Sequence, residues 1–247
     1  MKLQKRSIPF VFCVAVGGKP LKTPDDWLNH SEQQMRGDRS RAKLSMTIET
    51  ETWTRTLSLR SDVEGNDQAL VFIDAPAKEK GIGTLRLSGN MWNWFPKLKR
   101  KVTVSPSMLL ASWMGSDFTN DDLLKASSMA EDYTHAFKPD EKVGAASYKV
   151  IENLAKPSSK VMWPKIVTLS DKKDCLPRFH RYYDKKGTLV RTLVMSEVKS
   201  FDGHKLPTVW EMRPEGSKKR TRMKYDDVKF KVSFPANHFT MQTLTGN

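Results

Sequence analysis

The residues able to do chemistry are present but badly spaced for it. Five histidines stand at His30, His135, His180, His204 and His238. None forms an H-E-x-x-H pair, and none has a cysteine partner at metal spacing, so each reads as a surface or strand histidine. Gly81-Ile82-Gly83 lacks the third glycine and the following helix of a dinucleotide fold, and no G-x-x-x-x-G-K-[ST] loop occurs. No serine sits in a G-x-S-x-G elbow, and the S-x-x-K matches beginning at Ser170 and Ser196 fall in a turn and a strand. Asp121 and Asp122 are adjacent and suit a helix start, where the helix dipole favours negative charge. These readings give a protein that is not an enzyme and calls for no cofactor and no metal. An unrecognised hydrolase has no positive support.

A different chemistry is suggested by the apolar residues. Seven Trp and 12 Met are many for 247 residues. Several cluster: Met91, Trp92, Trp94 and Phe95, then Met108, Leu109, Leu110, Trp113 and Met114. Methionine is flexible and polarizable, which suits an irregular cavity that must accept variable acyl chains. Burying a methylene supplies about 0.8 kcal/mol, so a cavity holds a lipid without any catalytic group. The same stripe could equally be plain core sealing a helix to a sheet. The candidate ligand-binding residues are Trp92, Trp94, Phe95, Met108, Leu110, Trp113 and Met114.

Such a cavity needs walls. Thr23 as N-cap, Pro24, Asp25 and Asp26 in the first turn, and Gly37 as a stop mark a helix whose Trp27, Leu28, Ser31 and Met35 share one face. The period then switches to two over residues 42–49, 53–59, 68–74 and 83–87, predicting half-buried strands in an antiparallel meander. Residues 104–128 turn helical: Ser105-Pro106 opens one short helix that Gly115 closes, and Thr119-Asn120-Asp121-Asp122 opens another in a capping-box pattern. Strands resume over 146–154, 161–169, 178–183, 189–198, 207–213 and 220–230, with turn signals such as Asp202-Gly203 between them. About ten strands in one sheet must curl and be covered. The expected fold is therefore mainly β, a curved antiparallel sheet under a helical lid, in one domain.

The net charge of +14 points to anionic partners: nucleic acid, an acidic membrane surface or an acidic protein. Lys97, Lys99, Arg100 and Lys101 form a short basic run that reads either as a protected strand edge or as a contact for headgroups or a partner. Aromatics beside these cations could stack bases, but no nucleic-acid module fits, and the prediction is no nucleic acid. Residues 1–18 read as an export signal, with basic Lys2, Lys5 and Arg6, an apolar stretch over 8–16 and a small-x-small site at Ala15-Val16-Gly17. Residues 19–247 then form the single domain. Cleavage would remove Cys13 and leave Cys175 alone.

Met91-Trp92-Asn93-Trp94-Phe95-Pro96-Lys97 and the block running from Val104 through Ser112-Trp113-Met114-Gly115-Ser116-Asp117-Phe118 to Leu123 resemble a bacterial family. So do Pro76-Ala77-Lys78-Glu79-Lys80-Gly81 and Thr221-Arg222-Met223-Lys224-Tyr225-Asp226-Asp227. It is the family of outer-membrane lipoprotein-sorting proteins, relatives of the periplasmic carrier LolA. The resemblance implies an incomplete β-barrel lidded by helices, a periplasmic location and a hydrophobic cavity for the acyl chain of a lipid or lipoprotein. It also implies work beside an exporter of the resistance-nodulation-division type; peripheral contact with a membrane is the expectation that the basic charge adds. A non-carrying periplasmic adaptor docking such an exporter is the alternative, and a fully packed concave interior would favour it.

Overall fold

The computed structural model describes residues 20–124, 129–159 and 161–246. The proposed export signal lies outside these residues. Cys175 is buried and disulfide-bonded. The expectation that Cys175 stands alone was conditional on cleavage of residues 1–17, which lie outside the described residues.

Helix α1 (Pro24–Arg36) forms as its signals require. Thr23 Oγ1 accepts from the Asp26 backbone N–H, Asp26 accepts in return from the Thr23 N–H, and Pro24 occupies the first turn. Trp27, Leu28, Ser31 and Gln34 are buried.

The strands make two meanders. The first runs β1 (Arg39–Glu49), β2 (Thr54–Glu64), β3 (Gln68–Ala75), β4 (Gly83–Leu87), β5 (Asn90–Phe95) and β6 (Arg100–Thr103). The second runs β7 (Tyr133–Val143), β8 (Ala146–Ala155), β9 (Lys165–Asp171), β10 (Pro177–Tyr183), β11 (Leu189–Phe201), β12 (His204–Pro214) and β13 (Arg220–Lys229). β1 pairs with β13, so the two meanders fuse into one 13-stranded antiparallel sheet with β6 at one edge and β7 at the other. The curved, mainly β sheet expected from the alternation is confirmed. β5, β6 and β7 are strands that the sequence reading did not assign.

That order forces the next feature. The chain leaves one edge at β6 and re-enters at the other edge as β7, so residues 104–132 must cross the width of the sheet. Residues 104–124 and 129–132 form a strap over the concave face. It carries 3₁₀ turns at Pro106–Met108 and Trp113–Gly115, then helices α2 (Asn120–Leu124) and α3 (Met129–Asp132). The helix expected to open at Ser105-Pro106 and close at Gly115 is two separate 3₁₀ turns: Ser112 between them is non-helical (φ −56°, ψ 127°), and Met114 inside the second is left-handed (φ 51°).

Since all pairings are antiparallel, turns alternate between two rims. Turns 50–53, 76–82, 96–99, 184–188 and 215–219 and the β8–β9 connection share one rim. Turns 65–67, 88–89, 144–145, 172–176 and 202–203 share the other. The strap is tied to the first: Arg55 donates to Met114 O, Lys219 to Gly115 O, and the Asp117 N–H to Thr221 Oγ1.

The convex face of the first meander is covered by the C-terminal segment. Phe239 and Leu244 of that segment, which ends in α4 (Met241–Thr245), pack on Leu70 and Leu85, with Phe72, Trp92, Trp94 and Phe234 around them. Gly83 marks how closely they approach. A Cβ there would meet Phe72 Cε1 at 2.7 Å and Leu244 Cδ1 at 2.8 Å. Gly83→Ala is therefore expected to destabilise the protein by about 1–3 kcal/mol through overpacking, read as a lower urea midpoint at unchanged slope.

Candidate functional site

Between strap, α1 and the concave face lies a cavity of about 340 Å³, at the small end of the roughly 300–1,000 Å³ typical of ligand sites. Each strand sends every second side chain inward. Leu44 of β1, Leu59 and Val63 of β2, Val71 of β3, Leu193 of β11 and Leu206 of β12 supply the aliphatic wall. Met35, Met129, Met195, Met212 and Met223 line it too. Trp113, Phe118 and Leu123 of the strap cover it, and Trp163, Tyr182, Trp210 and Tyr225 supply aromatic surface.

Polar groups gather on the strap side. Arg191 on β11 is buried, with its Nη1 2.8 Å from Asp122 Oδ2 and its Nη2 paired with Oδ1. Its guanidinium lies 4.4 Å from the ring centroids of both Trp163 and Tyr182. Burial opposes the charge, but the Asp122 carboxylate outweighs that and holds the Arg191 pKa above its ordinary value. Asp122 also caps its own helix, accepting from the Thr119 N–H at 2.7 Å and the Thr119 hydroxyl at 2.9 Å. Trp163 Nε1 has no hydrogen-bond partner among the described residues, leaving one donor near the cavity for a ligand acceptor.

Deeper in the second meander, polar side chains join across four strands. His180 Nδ1 lies 3.0 Å from Thr168 Oγ1, which accepts from Asn153 Nδ2 at 3.0 Å, and Asn153 Oδ1 lies 2.8 Å from His135 Nδ1. Burial pushes His180 down to about 4. Opposite, burial and the nearby Arg36 guanidinium lower Arg86 to about 10, while Arg86 Nη1 donates to Leu123 O on the strap at 3.1 Å.

Among the residues singled out in the sequence, Trp113 lines the cavity and is 2% exposed, its Nε1 donating to Thr84 Oγ1 at 3.1 Å. Met114 packs on the same core cluster without reaching the cavity lining. Trp92 and Trp94 lie outside that lining, because on β5 they alternate with the inward-facing Met91 and Asn93 and so pack under the C-terminal segment. Phe95 and Met108 are partly buried away from it, and Leu110 is 52% exposed on the strap. Lys97, Lys99, Arg100 and Lys101 are all exposed at the β5–β6 hairpin, where they form no ion pair among the described residues. The methionines that do line the cavity occupy inward positions of separate strands. Their alternation was legible, but which face was concave was not.

Among the described residues no three His, Cys, Asp or Glu could hold a metal ion, and no helix is long and apolar enough to cross a membrane.

A family model described as "-like: Uncharacterized protein" matches residues 65–246. No curated protein matches the chain. Among solved structures, a DUF1329 family protein from Desulfovibrio piger is 22% identical, with a TM-score of 0.83 over 90% of this chain and 100% of its own. An outer-membrane lipoprotein-sorting protein domain from Vibrio parahaemolyticus is 24% identical, with a TM-score of 0.77 over 90% and 98%. A LolA superfamily protein from Nitrosomonas europaea is 20% identical, with a TM-score of 0.76 over 90% and 99%. The fold is therefore LolA-like.

Proposed function

Because the chain belongs to the family matched over residues 65–246, whose solved structural neighbours include LolA superfamily proteins, we propose that it is a periplasmic carrier. It holds the acyl chain of a lipid or lipoprotein in the cavity beneath the strap. The observation that carries this reading is the cavity itself: about 340 Å³ walled by Leu, Val and Met. A packed interior would have favoured the adaptor. The Trp163 indole N–H is suited to a ligand carbonyl, and an exporter of the resistance-nodulation-division type is the partner that the family resemblance suggests.

Native mass spectrometry of protein purified gently from a periplasmic extract, followed by lipid analysis, tests the proposal. A stoichiometric acylated species is the expected result; an apo mass that also resists loading with lipid would shift the reading to the adaptor. Ala69→Phe, which places a ring at the cavity wall, is expected to lower bound lipid several-fold with little loss of stability. Undiminished loading in that variant would place the ligand elsewhere.

A further inference from the structure

We infer that the strap-bearing rim docks on an anionic lipid bilayer, with lysines at the headgroups and apolar side chains from separate strands entering the interface. Two independent features coincide there. The first is charge. Lys97 and Lys99, Lys185 and Lys186, and Lys218 and Lys219 stand in three hairpins of this rim, and Lys78 and Lys80 in the β3–β4 hairpin; against them the same turns hold Glu51, Glu79, Asp184 and Glu215, with Lys218 paired to Glu51 and Lys219 to Asp117. On the opposite rim, turns 65–67, 88–89, 144–145 and 202–203 hold no Lys or Arg and include Asp67 and Asp202, and turn 172–176 sets Lys172 and Lys173 against Asp174. The positive excess is thus concentrated at one end of the strands, which orients the protein in the field of an anionic surface.

The second feature is exposed apolar surface. Trp53 (48% exposed), Leu98 (71%) and Leu154 (44%) are three of the four large hydrophobic residues most exposed among those described. Trp53 lies in the β1–β2 turn, Leu98 between Lys97 and Lys99, and Leu154 at the end of β8. All three stand on the same rim. Tryptophan at a membrane–water interface and a leucine flanked by lysines match a bilayer, where cations stay at the phosphates and apolar groups reach the acyl boundary. The three residues are spread from β5 to β8 around the curved sheet, which fits an extended flat surface better than one protein patch. The docked rim also carries the strap ties at Arg55, Lys219 and Thr221, so the cavity cover would face the lipid.

The test is cosedimentation of the full chain with vesicles of phosphatidylcholine alone and of an equimolar mixture with phosphatidylglycerol. Binding is expected to the mixed vesicles, weakened by salt. Lys97→Gln with Lys99→Gln is expected to reduce it about 25-fold, roughly fivefold per lysine, and Leu98→Ser several-fold. These are exposed turn positions, and an unchanged melting temperature verifies the fold. Lys173→Gln on the opposite rim is expected to leave binding unaltered. Failure to bind mixed vesicles overturns the inference and leaves an acidic protein as the rim's partner. Equal binding to neutral vesicles, or an equal loss in Lys173→Gln, overturns it as well. Because none of these readouts depends on what occupies the cavity, vesicle binding without lipid loading would defeat the carrier reading and leave the docking surface standing.

Discussion

Replacing Asp122 with alanine is expected to destabilise the protein by about 3–5 kcal/mol, the cost of leaving one partner of a buried ion pair uncompensated. Arg191 is 5% and Asp122 15% exposed at the side chain. An arginine cannot neutralise itself by losing its proton at ordinary pH, so the guanidinium would sit between Trp163 and Tyr182 without its paired carboxylate, held by the Asp117 carbonyl 3.3 Å away and by the charge of nearby Asp121. The cap at Thr119 would be lost in the same step. The damage should concentrate in the strap, because Arg191 belongs to the sheet and Asp122 to α2. Hydrogen exchange is therefore expected to speed most in residues 113–124, with a smaller change in β1 and β13. The double variant Asp122→Leu with Arg191→Met should recover most of the loss, since an apolar replacement removes both desolvation penalties. Loss of less than about 1 kcal/mol in Asp122→Ala would show that the pair is relieved by solvent and does not hold the strap.

The parts of this architecture written in local chemistry were legible in the sequence. Thr23-Pro24 with Asp26, and Thr119 with Asp122, named two helix starts whose caps form as read. Strand alternation located β4 at Gly83–Leu87 without error. What failed was information held in long-range pairing. Residues 90–95 looked like an aromatic cluster, and only their pairing with β4 reveals that Trp92 and Trp94 face away from Met91. β7 was missed because Pro139, Asp140 and Glu141 break its pattern, and the ladder shifts register between Lys138 and Glu141. The cavity wall was hidden for the same reason. Met195, Met212 and Met223 are far apart in sequence and meet only because β11, β12 and β13 pair side by side. The ion pair between Arg191 and Asp122 joins two elements whose proximity no local motif announces.

The second large effect concerns pH. Stability is expected to fall by up to about 3 kcal/mol as pH drops from about 6.5 to about 4, and the slope should be traceable to His180. Burial holds the His180 pKa down at about 4, against an ordinary value of 6.5. Between those values the unfolded chain binds a proton at this residue that the folded chain refuses, so stability rises with pH across the window and is lost as pH falls through it. Thr168 Oγ1 and Asn153 build a polar setting around the ring, and among the described residues no carboxylate acts on it to favour the imidazolium. His30 is also lowered by burial, against the opposing Asp174, and adds in the same direction. Glu32, raised by burial, acts in the opposite sense because protonation favours its folded form. The comparison that isolates His180 is therefore His180→Gln, which keeps a partner for Thr168 and cannot titrate. Urea midpoints of that variant should vary less between pH 4 and 6.5 than those of the parent, and identical profiles would show that the imidazole is charged within the fold. Because His180 lines the cavity, the same protonation would place a cation against the aliphatic wall, so an acyl ligand should bind more weakly at the acid end of this window.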